Sequence, residues 1–202
     1  SAMQLAPGRR KLEAVDQGKL RRLLRHEGAD DIIREKPCQN KAMLEPRPLV
    51  LASTSRYRRA LLGRLGLPFE CTDPAVDERA LAGEAPAATA VRLAEAKART
   101  AAARYPRALI IGSDQVASCN GAILDKPGTH ANAVRQLTLM SGRTASFDTA
   151  VALCDASNGT MHSVVVPCQV HFRPLTAAQI EDYLQREQPY DCAGSAKSEG
   201  LG

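Results

Sequence analysis

Four clusters of hydroxyl, basic and acidic residues follow short apolar runs in this chain. The clusters are residues 53–59, 112–115, 125–127 and 194–200. Hydroxyl groups, arginines and lysines bind phosphate, and an acidic residue at the end of a buried strand can hold a metal or activate water. Together the clusters predict a site that hydrolyses a nucleotide.

The first cluster has the composition of a phosphate cradle. Ser53, Ser55, Arg58 and Arg59 lie where a predicted strand leads into a helix. Backbone N–H groups at a helix N-terminus, hydroxyls and guanidinium groups together bind phosphate well. The alternative is that Ser55 only caps the helix and that the arginines form a solvated face.

Acidic and basic candidates occur further along the chain. Asp114 follows an apolar strand, where open α/β sheets place ligands, and could bind Mg²⁺ or Mn²⁺ or orient water. Glu78, in the pair Asp77-Glu78, is a second candidate metal ligand. Lys97 on an Ala-rich helix and Lys126 on a turn could reach a phosphate as point charges. Taken singly, Asp114 could be a turn residue, and each lysine an ordinary surface residue.

The elements that must position these residues follow an α/β pattern. Strands are predicted at 49–53, 69–72, 108–117, 145–154 and 161–172. Helices are predicted at 55–66, 86–104, 129–140 and 176–186. Asn158-Gly159 indicates a hairpin between the last two strands, and Thr176 with Gln179 has the spacing of a capping box.

The chain divides by composition into two parts. Residues 1–47 hold 11 Lys and Arg against 7 Asp and Glu, with a helical pattern at 15–26, and are expected to form a flexible or partly helical extension. Residues 48–202 form the predicted domain. A compact α/β domain normally closes with another strand or helix after its last polar cluster. We therefore expect its C-terminal end to be missing.

Composition excludes several classes of protein. Residues 48–202 hold 16 basic against 15 acidic side chains, and the chain has no Trp, which argues against a nucleic-acid partner. No apolar run could span a membrane, and the six scattered cysteines without a signal peptide predict a cytoplasmic protein with reduced thiols. The Walker A, G-x-G-x-x-G and G-x-S-x-G motifs are all absent, which argues against a P-loop NTPase, a Rossmann dehydrogenase and an α/β-hydrolase.

The clusters, in their order, resemble the Maf family of nucleoside triphosphate pyrophosphatases. The resemblance spans about residues 49–202 and rests on five motifs. The first is S-x-S-x-x-R-x-x-L-L from Ser53 to Leu62, and the others are Val76-Asp77-Glu78, Gly112-Ser113-Asp114, Lys126-Pro127 and Ala193-Gly194-Ser195. One such motif would be weak, but five in order are specific.

The resemblance implies a mixed twisted sheet flanked by helices, with two lobes around a substrate cleft, as in Maf and ITPase-like folds. It implies hydrolysis of a nucleoside triphosphate to monophosphate and pyrophosphate with a divalent cation, Mg²⁺ or Mn²⁺, and a possible homodimer. Carried over, Asp114 is the catalytic proton acceptor and, with Glu78, a metal ligand. The implied phosphate ligands are Ser53, Arg58, Lys97 and Lys126, with Ser55 and Arg59 beside them.

Three residues depart from the UTP and dTTP branch of the family and match its 7-methyl-GTP branch. Gln115 follows the catalytic aspartate, Glu199 stands in the late glycine loop, and Tyr57 brings an aromatic ring into the first motif. An aromatic ring can stack on a cationic base, and a carboxylate can accept from guanine N–H groups. Tyr57 could equally be a packing residue. The alternatives are a UTP/dTTP pyrophosphatase and a nucleotide-binding regulator of cell division without turnover.

Overall fold

The structure is a computed structural model that describes residues 47–198, 200 and 201. The predicted extension, except for Arg47, and the specificity candidate Glu199 lie outside the described residues. None of the helices in the described part of the chain is both long and apolar enough to cross a bilayer.

Six strands and four helices make up the described chain. The strands are β1 (Leu49–Ala52), β2 (Glu70–Thr72), β3 (Leu109–Cys119), β4 (Ala122–Leu124), β5 (Thr144–Asp155) and β6 (Met161–His171). The helices are α1 (Arg56–Gly63), α2 (Pro86–Ala102), α3 (His130–Met140) and α4 (Ala177–Glu187), followed by a 3₁₀ turn at Ala193–Ser195.

The helices begin where capping chemistry predicts. The Ser55 and Thr129 side chains accept backbone N–H bonds at the starts of α1 and α3. Thr176 and Gln179 form the predicted reciprocal capping box of α4. Helix α2 has no side-chain cap and begins instead at Pro86, whose missing N–H would be unpaired there in any case. Local chemistry thus accounts for all four starts.

The strands form one mixed sheet in the order β2-β1-β3-β5-β6, with β4 also paired to β3. Strands β1, β2 and β3 run parallel, whereas β4, β5 and β6 are paired antiparallel. The predicted α/β class, a mixed sheet flanked by helices, is confirmed. The carboxyl ends of β1 and β2 lie at the same edge, as parallel pairing requires.

Strand β3 has an open edge in its middle. Its first residues, 109–112, pair with β1, and its last, 117–119, pair with β4 on the same side. Among the described strands, residues 113–116 pair only with β5. Asp114 lies in this interval, which we call the open edge of β3.

The hydrophobic core forms two clusters at the two ends of the β3–β5 ladder. One lies between α2 and the sheet and includes Val50, Ala94, Ala98, Ile110 and Ala152. The other lies against α3 and α4 and includes Leu124, Leu137, Phe147 and Leu184. The two clusters are the counterpart of the predicted two lobes. They meet at the end of the open edge of β3, where Val116 belongs to the first cluster and Ala117 to the second.

The β5–β6 turn is joined to the beginning of the described chain. The Arg47 guanidinium pairs with the Asp155 carboxylate, which also accepts hydrogen bonds from the backbone and the hydroxyl of Ser157 at 2.9 and 2.6 Å. These bonds hold the pKa of Asp155 well below its usual range, chiefly through the Arg47 contact. The predicted hairpin at Asn158-Gly159 lies in this turn.

Candidate active site

The serines of the first cluster lie at the carboxyl end of β1. Ser53 is buried, and its hydroxyl oxygen accepts the Ser55 N–H at 3.2 Å. Each hydroxyl accepts a backbone bond and keeps its own O–H available as a donor. An open depression of about 220 Å³ adjoins them, lined by Ser53, Thr54, Ser55, Arg59, Cys71, Thr72 and Asp73. The structure thus brings Ser53, Ser55 and Arg59 together at one depression.

Lys97 lies at the centre of the charged part of the site. Its ammonium is 2.6 Å from Oδ1 of Asp114 and 2.5 Å from Oε1 of Glu78. The Lys97 side chain is only 5% exposed, and that of Asp114 is 10% exposed. An ammonium has three donors, so the two carboxylates leave one for another acceptor.

Lys126 extends this arrangement across the open edge of β3. Its ammonium lies 3.5 Å from Oε2 of Glu78, so opposite charges alternate from Lys126 through Glu78 and Lys97 to Asp114. We call these four residues the charge chain. Partial burial alone would raise the pKa of Glu78, but the Lys97 hydrogen bond and the attraction of both lysines outweigh it and lower that pKa.

The two arginines of the first cluster have different surroundings. Burial lowers the pKa of Arg58, and the nearby charges of Asp114 and Glu78 partly offset that effect. Arg58 therefore lies near the charge chain without being one of its four residues, whereas the exposed Arg59 lines the depression. From the sequence, both arginines were assigned to the same phosphate cradle.

A close approach between α2 and β3 brings Lys97 to Asp114. A Cβ on Gly112 would lie 2.8 Å from the backbone nitrogen of Ala98 and closer still to the Ala94 carbonyl. Only glycine leaves room for the helix backbone at this distance. Ala94 and Ala98 are fully buried there. Small residues on both elements thus set the spacing between them.

The loop that carries Glu78 is anchored to α2. Arg92 donates from Nε to Oε1 of Glu84 at 2.7 Å and from Nη2 to the Arg79 carbonyl at 3.1 Å. The Arg92 contact, together with hydrogen bonds from the Leu81 N–H and the Thr89 hydroxyl, lowers the pKa of Glu84 to about 2. Glu78 therefore lies on a loop that is hydrogen-bonded to α2, the helix that carries Lys97.

The predicted specificity residues are placed on different parts of the fold. Gln115 follows Asp114 directly, so its side chain leaves the opposite face of β3, where its Nε2 donates to the Thr149 hydroxyl at 2.8 Å. Tyr57 is half-buried on α1, with the Arg56 guanidinium 4.8 Å from its ring centroid. The ring thus already contacts a cation.

The carboxylates of the charge chain suit a metal that arrives with phosphate. The described residues contain no group of three or more His, Cys, Asp or Glu side chains that could hold an ion by themselves. Glu78 and Asp114 are two carboxylates joined through one ammonium. Mg²⁺ is commonly bound by one or two carboxylates together with substrate phosphates and water. The donor set therefore fits such an ion.

One group of polar residues near the site was not predicted from the sequence. The Gln136 amide on α3 bonds both the Asp125 carbonyl and the Ser195 hydroxyl. Ser195 is 0% exposed and has a positive φ of 55°. The two side chains are 59 residues apart, so no local pattern signals their contact. Ser195 was marked by the sequence as part of the Ala193-Gly194-Ser195 motif, whereas no signal marked Gln136.

Fold and site together define a mixed α/β protein whose charged side chains lie beside the open edge of its sheet. The family model described as Maf-like protein matches residues 48–202, and the chain belongs to the Maf family. This confirms the predicted resemblance.

Curated relatives match most of the chain. A protein of Methylobacillus flagellatus named 7-methyl-GTP pyrophosphatase is 59% identical over 155 residues, covering 77% of this chain and 81% of its own. Proteins of the same name from a Polaromonas species and Thiobacillus denitrificans are 59% and 57% identical, covering 71% and 77% of their own lengths.

Proposed function

We propose that the chain hydrolyses 7-methyl-GTP to the monophosphate and pyrophosphate. The observation that carries the reaction is the charge chain at the open edge of β3, which sets a buried carboxylate beside two ammonium groups. The substrate is supported by the name that relatives at 57–59% identity carry.

In this proposal, the cationic groups bind the polyphosphate. Lys97 has one N–H donor that the two carboxylates do not use, and Lys126 is exposed. Arg58 is close enough for the charges of Asp114 and Glu78 to raise its pKa against the effect of burial. Ser53 and Ser55 keep hydroxyl protons to donate. Such preorganised donors stabilise the charge that grows on the leaving pyrophosphate, and they act most strongly where water is excluded.

Asp114 is the proposed proton acceptor. A water oxygen attacks the α-phosphorus, the bond from that phosphorus to the α–β bridging oxygen breaks, and pyrophosphate leaves with the bond's electron pair. The proton of the attacking water passes to the Asp114 carboxylate. Lys97 holds that carboxylate in place through the 2.6 Å bond to Oδ1, which leaves the second oxygen to face the water.

Glu78 and Asp114 are the proposed ligands of a divalent cation, Mg²⁺ or Mn²⁺. When bound, such an ion offsets phosphate charge and makes the α-phosphorus more electrophilic. Glu78 is half exposed and already ionised in its contacts with two lysines, so it can exchange one of them for the ion.

Tyr57, Gln115 and Glu199 are the proposed selectors of the base. Gln115 lies on the face of β3 opposite Asp114, so it would contact a base that lies on that side of the open edge. Its Nε2 donates to Thr149 there, which leaves its carbonyl oxygen to accept from a base N–H. Tyr57 offers a ring that can stack on a positively charged base, as it does on Arg56. Glu199 would accept from the guanine edge.

Two alternative functions and several accompanying properties are also proposed. A UTP or dTTP pyrophosphatase would use the same charge chain with another base, and a nucleotide-binding regulator would bind without turnover. A cytoplasmic location and a homodimer are also proposed, without nucleic acid or membrane as partner.

The test is pyrophosphate release from m7GTP, GTP, UTP and dTTP with Mg²⁺ or Mn²⁺. We expect a clear preference for m7GTP, and a loss on the order of 10²-fold or more in Asp114→Asn, because the general base is removed. Asp182→Asn is the matched control, since Asp182 lies exposed on α4 and pairs with Arg186.

Other results would redirect the proposal. Preference for UTP or dTTP would keep Asp114 as the base and remove the roles given to Tyr57, Gln115 and Glu199. Tight nucleotide binding without any turnover would favour the regulator.

A further inference from the structure

A hydrogen-bond chain outside the reacting groups joins two loops beside the open edge of β3. The Gln136 amide lies in its middle, donating from Nε2 to the Asp125 carbonyl at 2.8 Å and accepting at Oε1 from the Ser195 hydroxyl at 2.6 Å. Because a carbonyl can only accept, the bond to Asp125 fixes the direction of the amide. Ser195 is then necessarily the donor.

One end of this chain meets the backbone of a charge-chain residue. The Asp125 carbonyl belongs to the peptide bond that leads into Lys126, whose ammonium lies 3.5 Å from Glu78. The same loop is held two residues later, where the Asn132 amide donates to the Pro127 carbonyl at 2.8 Å. Two side chains of α3 therefore fix the backbone on both sides of Lys126.

The other end is a strained and fully buried serine. Ser195 has φ 55°, a conformation that is unfavourable for a non-glycine residue and persists only where the surroundings impose it. Its carbonyl accepts from the Tyr183 hydroxyl at 3.1 Å, and that hydroxyl accepts the Lys197 N–H at 3.0 Å. The segment thus provides Gln136 with a rigid anchor.

We propose that Gln136 is a positioning residue, which ties the peptide before Lys126 to the anchor at Ser195 and so sets where the Lys126 ammonium meets the polyphosphate. The proposal rests on the proposed function, since it gives Lys126 the phosphate contact. Gln136 itself touches no reacting group. Its effect passes through Lys126, which makes the two residues energetically coupled.

The test is a double-variant cycle on kcat/KM for m7GTP with Gln136→Met, Lys126→Ala and both together. Methionine keeps the length of the side chain and removes both hydrogen bonds. We expect Gln136→Met to lower kcat/KM on the order of ten-fold, mostly through KM, because a misplaced binding group weakens substrate contact. In the Lys126→Ala background the same change should matter by less than about two-fold.

Two further variants separate a positioning effect of Gln136 from a non-specific effect of substituting a glutamine on the fold. Gln136→Glu keeps the acceptor for Ser195 but replaces the donor by a carboxylate oxygen, which cannot bond the Asp125 carbonyl, so it should raise KM at least as much as methionine does. Gln185→Met is the matched control, because the Gln185 amide donates to Glu181 one turn away on α4. It should leave kcat and KM unchanged.

Hydrogen exchange gives a readout that needs no activity. The amides of Asp125, Lys126 and Gly128 should exchange faster in Gln136→Met than in the parent protein without nucleotide, and unchanged exchange would overturn the proposal. Equal losses of kcat/KM in both backgrounds, or none in either, would overturn it as well. If the parent protein turns over no nucleotide, the proposed function fails instead, and the same cycle is made on the Kd for m7GTP in EDTA.

Discussion

Lys97 is the residue on which the geometry of the site depends most directly. Its ammonium bonds Asp114 and Glu78, whose negative charges would otherwise repel each other at close range. A buried ion pair adds little net stability, but removing one partner leaves the other charge buried and uncompensated. Lys97 therefore offsets the free-energy cost of burying the charged Asp114 carboxylate.

Replacing Lys97 with methionine should destabilise the protein by about 3–5 kcal/mol, because Asp114 is left without its counter-charge. Urea denaturation measures the change. Adding Asp114→Asn should recover part of that stability without restoring activity, since the buried charge is then removed. A double variant as unstable as the single one would contradict this role of Lys97.

Lys126→Met is the matched control for that measurement. Its side chain is 62% exposed and its contact with Glu78 is long, so the free energy of unfolding should change by less than about 1 kcal/mol.

At the scale of elements, the contact between α2 and β3 decides whether the charge chain forms. Lys97 and Asp114 lie on different elements, and only the missing side chain at Gly112 lets those elements approach closely enough. Alanine at other positions of α2 supports the same spacing, because Ala90, Ala94 and Ala98 are fully buried.

Gly112→Ala should therefore push α2 away from β3. We expect a loss of about 1–3 kcal/mol or more in the free energy of unfolding, as for other overpacked cores, together with a large loss of kcat. Chemical denaturation and pyrophosphate release measure the two effects.

Gly63→Ala is the control for the alanine substitution itself. Gly63 lies exposed at the end of α1, and a Cβ added there would have no neighbouring atom within 4 Å. The same change should therefore stabilise the protein by up to about 0.5–1 kcal/mol. Equal behaviour of the two variants would show that spacing at Gly112 is unimportant.

Elements with local signals were predictable, and elements made by distant partners were not. Caps and turn residues act within a few positions, which is why the starts of the four helices and the Asn158-Gly159 hairpin agree with the sequence. Strand β4 has three residues and exists through pairing with residues 117–119, so it was missed. Helix α1 ends at Gly63, before the predicted Gly66.

The same distinction holds within the candidate site. Ser53 and Ser55 meet because they are neighbours at a strand end. The contact of Lys97 with Asp114 and that of Gln136 with Ser195 depend on how helices pack, over 17 and 59 residues. Residue type alone could mark Lys97 as a candidate, but it could not reveal that two carboxylates bond it.

At the scale of the whole molecule, the Arg47–Asp155 contact links stability to pH. The pKa of Asp155 is lowered in the folded state relative to its ordinary value near 3.8, so its contribution is present above that value and is lost as pH falls through the folded-state pKa. It is therefore complete at neutral pH.

Asp155→Asn should cost about 1–3 kcal/mol at pH 7, because the turn loses charge-assisted bonds to Arg47 and Ser157. The difference from the parent protein should shrink as pH falls below about 4, because the Asp155 carboxylate is protonated first in the unfolded chain, and it should be lost once pH falls through the lower folded-state pKa. Denaturation curves measured from pH 7 down to the acid limit of the folded state test this. A difference independent of pH would argue against the ionic contribution.

The open edge of β3 also has a mechanical consequence. At residues 113–116 the sheet narrows to β3, β5 and β6 among the described strands, so fewer hydrogen-bond ladders resist bending along that line than on either side. Ser53 and Arg58 follow β1 on one side of it, and Lys126 follows β4 on the other. A nucleotide bound by residues on both sides of the open edge would therefore make the sheet stiffer along the line where only β5 pairs with residues 113–116.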